Sequence, residues 1–93
     1  MVVKVIDTIL FQATWTHRYP EFAARGEGVM AILDPSEISE APELKGARVT
    51  ISKPDGTSTQ FIASSTEAHH SVVGIFFAGA STEDIPLGSE VKW

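Results

Sequence analysis

Glu67, His69 and His70 fall within one short stretch and are the first residues here whose types could do chemistry. Two imidazoles and a carboxylate are the ligand types of a catalytic zinc or a non-haem iron, with His17 completing the set from another loop. On an extended segment, adjacent side chains point to opposite faces, so only one of the two histidines shares a side with Glu67. No ligand spacing here is diagnostic. The plainer reading, a solvated polar loop, is preferred. Ser64, Ser65, Ser71 and Ser81 lie near the histidines in sequence, and Asp84 or Glu67 offers a carboxylate to orient one of them. A triad is defined by geometry, and no nucleophile-elbow sequence accompanies these serines. Serine and threonine at strand ends usually serve as caps and turn formers. The sequence therefore assigns no catalytic residue and implies no cofactor, leaving a metal-dependent hydrolase or isomerase at Glu67, His69, His70 and His17 as the remotest reading.

Binding chemistry is better represented. Trp15, His17, Arg18, Tyr19 and Phe22 form the densest mixture of aromatic and basic side chains in the chain. Aromatics with arginine make interface hot spots and base-stacking platforms. Trp15 and Phe22 have a rival use as plugs at the open ends of a narrow barrel, whereas Arg18 and Tyr19 are expected outside. Asp34, Glu37, Glu40 and Glu43 recur at every third residue. On a helix they would drift around one side and attract a hard cation or a basic partner, but they lack the spacing of a calcium loop. A solvated face is the simpler account.

The elements that must position these residues are strands. Val2 to Trp15 is rich in β-branched and aromatic residues and alternates at Val3, Val5, Ile9, Phe11 and Ala13, interrupted at Asp7, where a bulge is expected. Gly28 to Leu33 reads as the second strand. It ends at Asp34-Pro35-Ser36-Glu37, the pattern of a helix N-terminus limited to about two turns by Pro42 and Gly46. Arg48–Lys53 and Thr57–Ala63 form a hairpin around Pro54-Asp55-Gly56, where proline presets φ and glycine supplies φ > 0. Ser64 to His70 reads as a polar connection and Val72 to Phe77 as the most apolar strand, with Gly74 marking a bulge or a close backbone approach. A capped turn at Ser81–Ile85 precedes a last strand over Ser89–Trp93. The expected core is Val5, Ile9, Phe11, Val29, Ile32, Val49, Ile51, Phe61, Val73, Ile75, Phe77 and Val91. Phe76 and Phe77 must face opposite sides, so one points away from the core and marks a contact surface if it is open to water.

Composition sets the bounds. The chain has 93 residues, 43% of them apolar, enough for one globular domain over residues 1–93. It has no cysteine, which removes disulfides, thiol catalysis and thiolate metal sites and fits a cytoplasmic address. No apolar run reaches membrane-spanning length, and the N-terminus does not read as a signal peptide. Twelve acids against seven bases give a net charge of −5, which disfavours generic nucleic-acid binding.

Two stretches carry a family resemblance: Arg25-Gly26-Glu27-Gly28-Val29-Met30 with Leu44-Lys45-Gly46-Ala47-Arg48-Val49-Thr50-Ile51, and Val73-Gly74-Ile75-Phe76-Phe77-Ala78-Gly79 with Glu83-Asp84-Ile85-Pro86-Leu87-Gly88-Ser89-Glu90-Val91. Together they resemble the second-domain β-barrel of elongation factor Tu and related translational GTPases, from about Arg25 to Val91. No phosphate-cradling Gly-rich loop is present, and the Asp34–Pro42 connection is longer and more acidic than that family's turn. Six strands spaced by turn signals, with one or two short helical turns, point to a sandwich or barrel, and with the resemblance the expected fold is all-β, a six-stranded closed or nearly closed barrel. The resemblance also implies a stand-alone docking module. The function expected is a non-catalytic interaction module, a small homo-oligomer or accessory subunit using the Trp15–Phe22 loop and Phe76. The alternative is a small RNA or tRNA-end binder, for which Arg18, Arg25 and Arg48 would have to converge on one surface.

Overall fold

The computed structural model describes residues 1–11 and 27–93. Among these residues there are seven strands and no helix: β1 (Val2–Phe11), β2 (Gly28–Leu33), β3 (Arg48–Ser52), β4 (Ser58–Ile62), β5 (Ser65–His69), β6 (Val72–Ala78) and β7 (Glu90–Lys92). All pairings are antiparallel, and one sheet runs in the order β4-β3-β7-β1-β2-β6-β5. The ladder is open between β4 and β5, so the sheet is not closed by hydrogen bonds. These two edge strands are nevertheless consecutive in the chain, joined by Ala63 and Ser64 alone.

β1 belongs to both halves of the sheet. Its first residues pair with β7, with Val3 opposite Val91, and the rest pairs with β2, with Leu10 opposite Val29. The register shifts between Val5 and Asp7 because Ile6 has no residue of its own opposite it. This is the bulge expected near Asp7, and it reverses the faces of everything after it. Val3 and Val5 point into the main core, but beyond the bulge it is Leu10 that packs there. Ile9, an expected core residue, is thereby turned outward and is 38% exposed.

The main core joins Val3, Val5, Val49, Ile51 and Val91 to Val29, Leu33, Val73, Ile75 and Phe77, so the two halves of the sheet face one another across it. Leu44 and Ile85 are buried in it from the connecting segments, and Ile38 packs against it. Ile32 and Phe61 from the expected core are only half-buried. A second, smaller cluster lies on the outer face: Phe11, Met30 and Phe76, with Ile32 against them. Phe11 and Phe76 meet edge to face, with ring centroids 5.7 Å apart. Phe76 does point away from the main core, but it is 1% exposed, so it offers no contact surface to water.

Two further expectations are corrected. Asp34 does start a turn, accepting the Glu37 and Ile38 N–H groups on its carbonyl at 3.0 and 3.2 Å. No helix follows, because the chain is drawn off to bury Ile38 and Leu44. Ser64 to His70 is not a connection: β5 occupies most of it, so the sheet has seven strands rather than six. The hairpin at Pro54-Asp55-Gly56 stands as expected, closed by Lys53 N–H to Thr57 O at 2.8 Å. No helix of the described residues is long and apolar enough to cross a membrane.

The outer cluster depends on two glycines. A Cβ on Gly28 would run into the Phe77 carbonyl oxygen and the tip of the Phe76 ring. A Cβ on Gly74 would lie 2.8 Å from the Met30 sulfur, which covers it. Backbone cannot yield, whereas a methionine side chain can. Gly28→Ala is expected to cost roughly 2–4 kcal/mol of stability and Gly74→Ala about 1 kcal/mol, read by urea unfolding. Equal costs would show that the outer cluster is not packed as described.

Candidate functional site

The β5–β6 hairpin carries the histidines. His70 and Ser71 form its two-residue loop with φ of 52° and 64°. Positive φ at both central positions is the type I′ geometry, which suits the twist of a hairpin but is normally filled by Asn-Gly. This positive-φ loop also overturns the expectation for adjacent histidines. His70 has left the extended conformation, and its ring meets that of His69 edge to face at 4.3 Å instead of pointing the opposite way. Glu67 and His69 alternate along β5 and share its outer face, and both are exposed. Among the described residues no three His, Cys, Asp or Glu side chains converge as a metal site. His17, the fourth expected ligand, lies outside the described residues.

The serines and acids are engaged in turns. Asp84 accepts the Ser81 N–H at 2.9 Å and its hydroxyl at 3.2 Å, so this carboxylate closes the 81–84 turn and is not bonded to His69 or His70. The Ser64 hydroxyl accepts the Ala78 N–H at 3.0 Å where β5 leaves the corner. Asp34 accepts the Ser36 N–H and hydroxyl at 2.9 and 2.7 Å. Glu37 accepts the Lys4 N–H at 3.0 Å. The acidic series is therefore spread along an irregular segment. A groove of about 440 Å³ opens between that segment and Trp93, walled by Ile38, Glu40 and Pro42. Ser89 is fully buried, and its hydroxyl has no partner among the described residues.

Trp15, His17, Arg18, Tyr19 and Phe22, the expected partner-binding loop, lie outside the described residues, as does Arg25. Arg48 is exposed on the outer face of β3, opposite Ile62.

A feature missed in the sequence is the free edge of β4. Lys53 N–H bonds Thr57 O, and Ala63 N–H bonds Ala47 O at 2.9 Å. These bonds fix the ladder to β3 on the odd-numbered residues. Ser58, Gln60 and Ile62 consequently aim their N–H and C=O groups away from β3, and no partner for them exists among the described residues. All of the strand but Phe61 is exposed, with Ile62 at 51%. From Thr57 to Thr66 there is no charge, proline or glycine, so the strand's own sequence supplies neither of the commonest edge guards, a charge or a proline. The opposite edge, β5, is defended: Thr66 donates to the Pro42 carbonyl at 2.7 Å, and Glu67 carries charge. The signal in the sequence was that uncharged run of β-formers, which reads as an ordinary strand until its place at an edge is known.

No protein-family model matches this chain, and neither a curated protein nor a solved structure matches it. The likeness to the translation-factor barrel rests on the quoted residues alone.

Replacing His70→Asn together with Ser71→Gly is expected to raise stability by about 1–2 kcal/mol, because both residues now occupy the left-handed region at a cost. Urea unfolding checks this, and a loss of stability would mean that the His69–His70 ring contact outweighs the backbone strain.

Two carboxyls also set an acid limb. The hydroxyl and N–H of Ser36 hold Asp34 below its ordinary 3.8, with Lys4 adding a smaller favourable charge. The hydroxyl and N–H of Thr57 hold Asp55 below the same value. A carboxyl depressed in the folded state contributes stability above its unfolded pKa and loses it as pH falls through the lower folded value. The thermal midpoint is therefore expected to fall below about pH 4. Asp34→Asn with Asp55→Asn should flatten that fall, and an unchanged slope would assign the limb to other acids.

Proposed function

We propose that this chain is a non-catalytic docking module built on a rolled sheet of the elongation factor Tu domain-two type, and that it takes an extended partner strand along β4. The observation that carries the reading is the β4 edge: three residues whose outward backbone groups have no partner among the described residues, on a largely exposed and uncharged strand. Strand addition uses main-chain hydrogen bonds for affinity and alternate side chains for specificity. Ser58, Gln60 and Ile62 supply the first. Their side chains, lying beside Arg48, Thr50 and Ser52 on the outer face, supply the second.

The rolled form is supported by the joining of the two edge strands through Ala63 and Ser64. Gly46 N–H donates to Ala63 O at 2.7 Å, and Ser64 N–H donates to Phe76 O at 2.8 Å. The corner is thus bonded to the β3 side by one residue and to β6 by the next. A strand that turns such a corner brings the sheet's ends together even though the ladder does not close across them.

The test uses a synthetic peptide spanning residues 57–63 with two terminal lysines for solubility, in excess over dilute, isotopically labelled protein. Amide exchange is read by NMR. The N–H groups of Ser58, Gln60 and Ile62 are expected to slow by roughly ten-fold or more, while those of Thr59 and Phe61, already bonded to β3, barely change. Unaltered exchange at the three outward amides would defeat the proposal.

A further inference from the structure

We infer that the strand received by the β4 edge is the β4 of a second copy of this chain, paired antiparallel with Gln60 opposite Gln60. This inference rests on the docking reading above and names its partner. Three observations carry it.

The first is charge. Each copy carries −5, so most approaches between copies are repulsive, and a cationic or acidic edge would select an unlike partner. The Thr57–Thr66 strip has no charge, so two copies meet along it with nothing opposed.

The second is register. The outward residues are Ser58, Gln60 and Ile62, centred on Gln60. A two-fold axis at Gln60 sets Ser58 opposite the partner's Ile62 and Ile62 opposite the partner's Ser58, and it uses every outward N–H and C=O on both strands. Shifting the register by two residues leaves at least one of them unpaired. The glutamine amide, with a donor and an acceptor end, is complementary to itself across that axis.

The third is apolar surface. Phe61 packs edge to face on Phe77, with ring centroids 6.0 Å apart, yet it is only half-buried because the sheet ends there. The same register places Phe61 opposite the partner's Thr59, so pairing extends the inner face past Phe61 and covers its open side. On the outer face it covers Ile62. One strand pair is a small interface, so the dimer is weak and concentration-dependent.

Sedimentation velocity from low to high micromolar protein is the test, with three samples beside the wild type: Gln60→Lys, Gln60→Glu and their equal mixture. Gln60 is exposed, so circular dichroism is expected to show both variants folded. The wild type is expected to pass from monomer to dimer over this range. Each variant alone opposes like charges at the axis and is expected to self-associate roughly ten-fold more weakly or worse. The mixture, with opposite charges facing, is expected to recover the dimer. A wild type that stays monomeric overturns the inference, as does a dimer indifferent to the charge at position 60 or a mixture that does not recover. If the wild type is monomeric while the peptide still protects Ser58, Gln60 and Ile62, the second copy is wrong and the strand-accepting edge stands. If the peptide fails as well, both fall.

Discussion

β1 has to bond β7 with its first residues and β2 with the rest, and the extra residue at Ile6 is what lets one strand do both. Without it, the pleat would keep Ile9 and Phe11 on the face of Val3 and Val5. With it, the faces exchange between Val5 and Asp7, and Leu10 takes the core position opposite Val29. The bulge also supplies the local twist a strand needs to pass from one half of a sheet to the other. The single core between the halves, with Val91 and Ile51 facing Val29 and Phe77, follows from that passage.

The second consequence is the outer cluster. Once Phe11 is turned outward it needs cover, and β2 and β6 provide it from alternate positions: Met30 and Phe76, opposite one another in the ladder. Two bulky side chains and an aromatic ring fit on that face only because their neighbours Gly28 and Gly74 have no side chain. Each of these two glycines therefore belongs to packing, not to a turn. The resemblance to a translation-factor barrel was drawn in part from the same glycines, and their role here gives a physical reason for finding them in any small sheet that buries residues on both faces.

What could be read from the sequence divides along local and non-local chemistry. The hairpin from Arg48 to Ala63 was legible because Pro54, Asp55 and Gly56 determine a turn among themselves, and Asp34 was legible as a cap for the same reason. Gly28–Leu33 was legible because its ends carry their own punctuation. β5 was not, since Ser65 to His69 has no apolar alternation and His70-Ser71 is not a sequence that advertises a type I′ turn. Ile9 was misplaced because alternation was carried through a bulge that had itself been anticipated at Asp7. The capping pattern at Asp34 does not yield a helix, because capping chemistry starts a turn but cannot continue one against the burial of Ile38 and Leu44. The extended backbone expected for the histidine pair ends at His69, and His70 turns away from it. Phe76 was placed on the correct side, but its burial depends on Phe11 and Met30, which no window around Phe76 contains.

The edge strand escaped notice for a reason of its own. Solvent exposure and polarity at Ser58, Thr59 and Gln60 look like the outer face of any hairpin, and only the sheet order places β4 at an edge, with no further strand beside it among the described residues. Natural sheets guard such edges with lysine, proline or a bulge, at some cost in pairing strength, because an unguarded edge recruits strands indiscriminately. Here β3 and β4 pair without a register shift, and the guard residues are missing from β4 although Lys53, Pro54 and Asp55 stand in the turn beside it. In a chain of net charge −5, the absence of charge over Thr57–Thr66 leaves no like charges directly opposed where two copies would meet along that strand. Selectivity at such an edge then has to come from fit, and in the antiparallel pairing we propose, a short strand centred on Gln60 meets a second copy of itself.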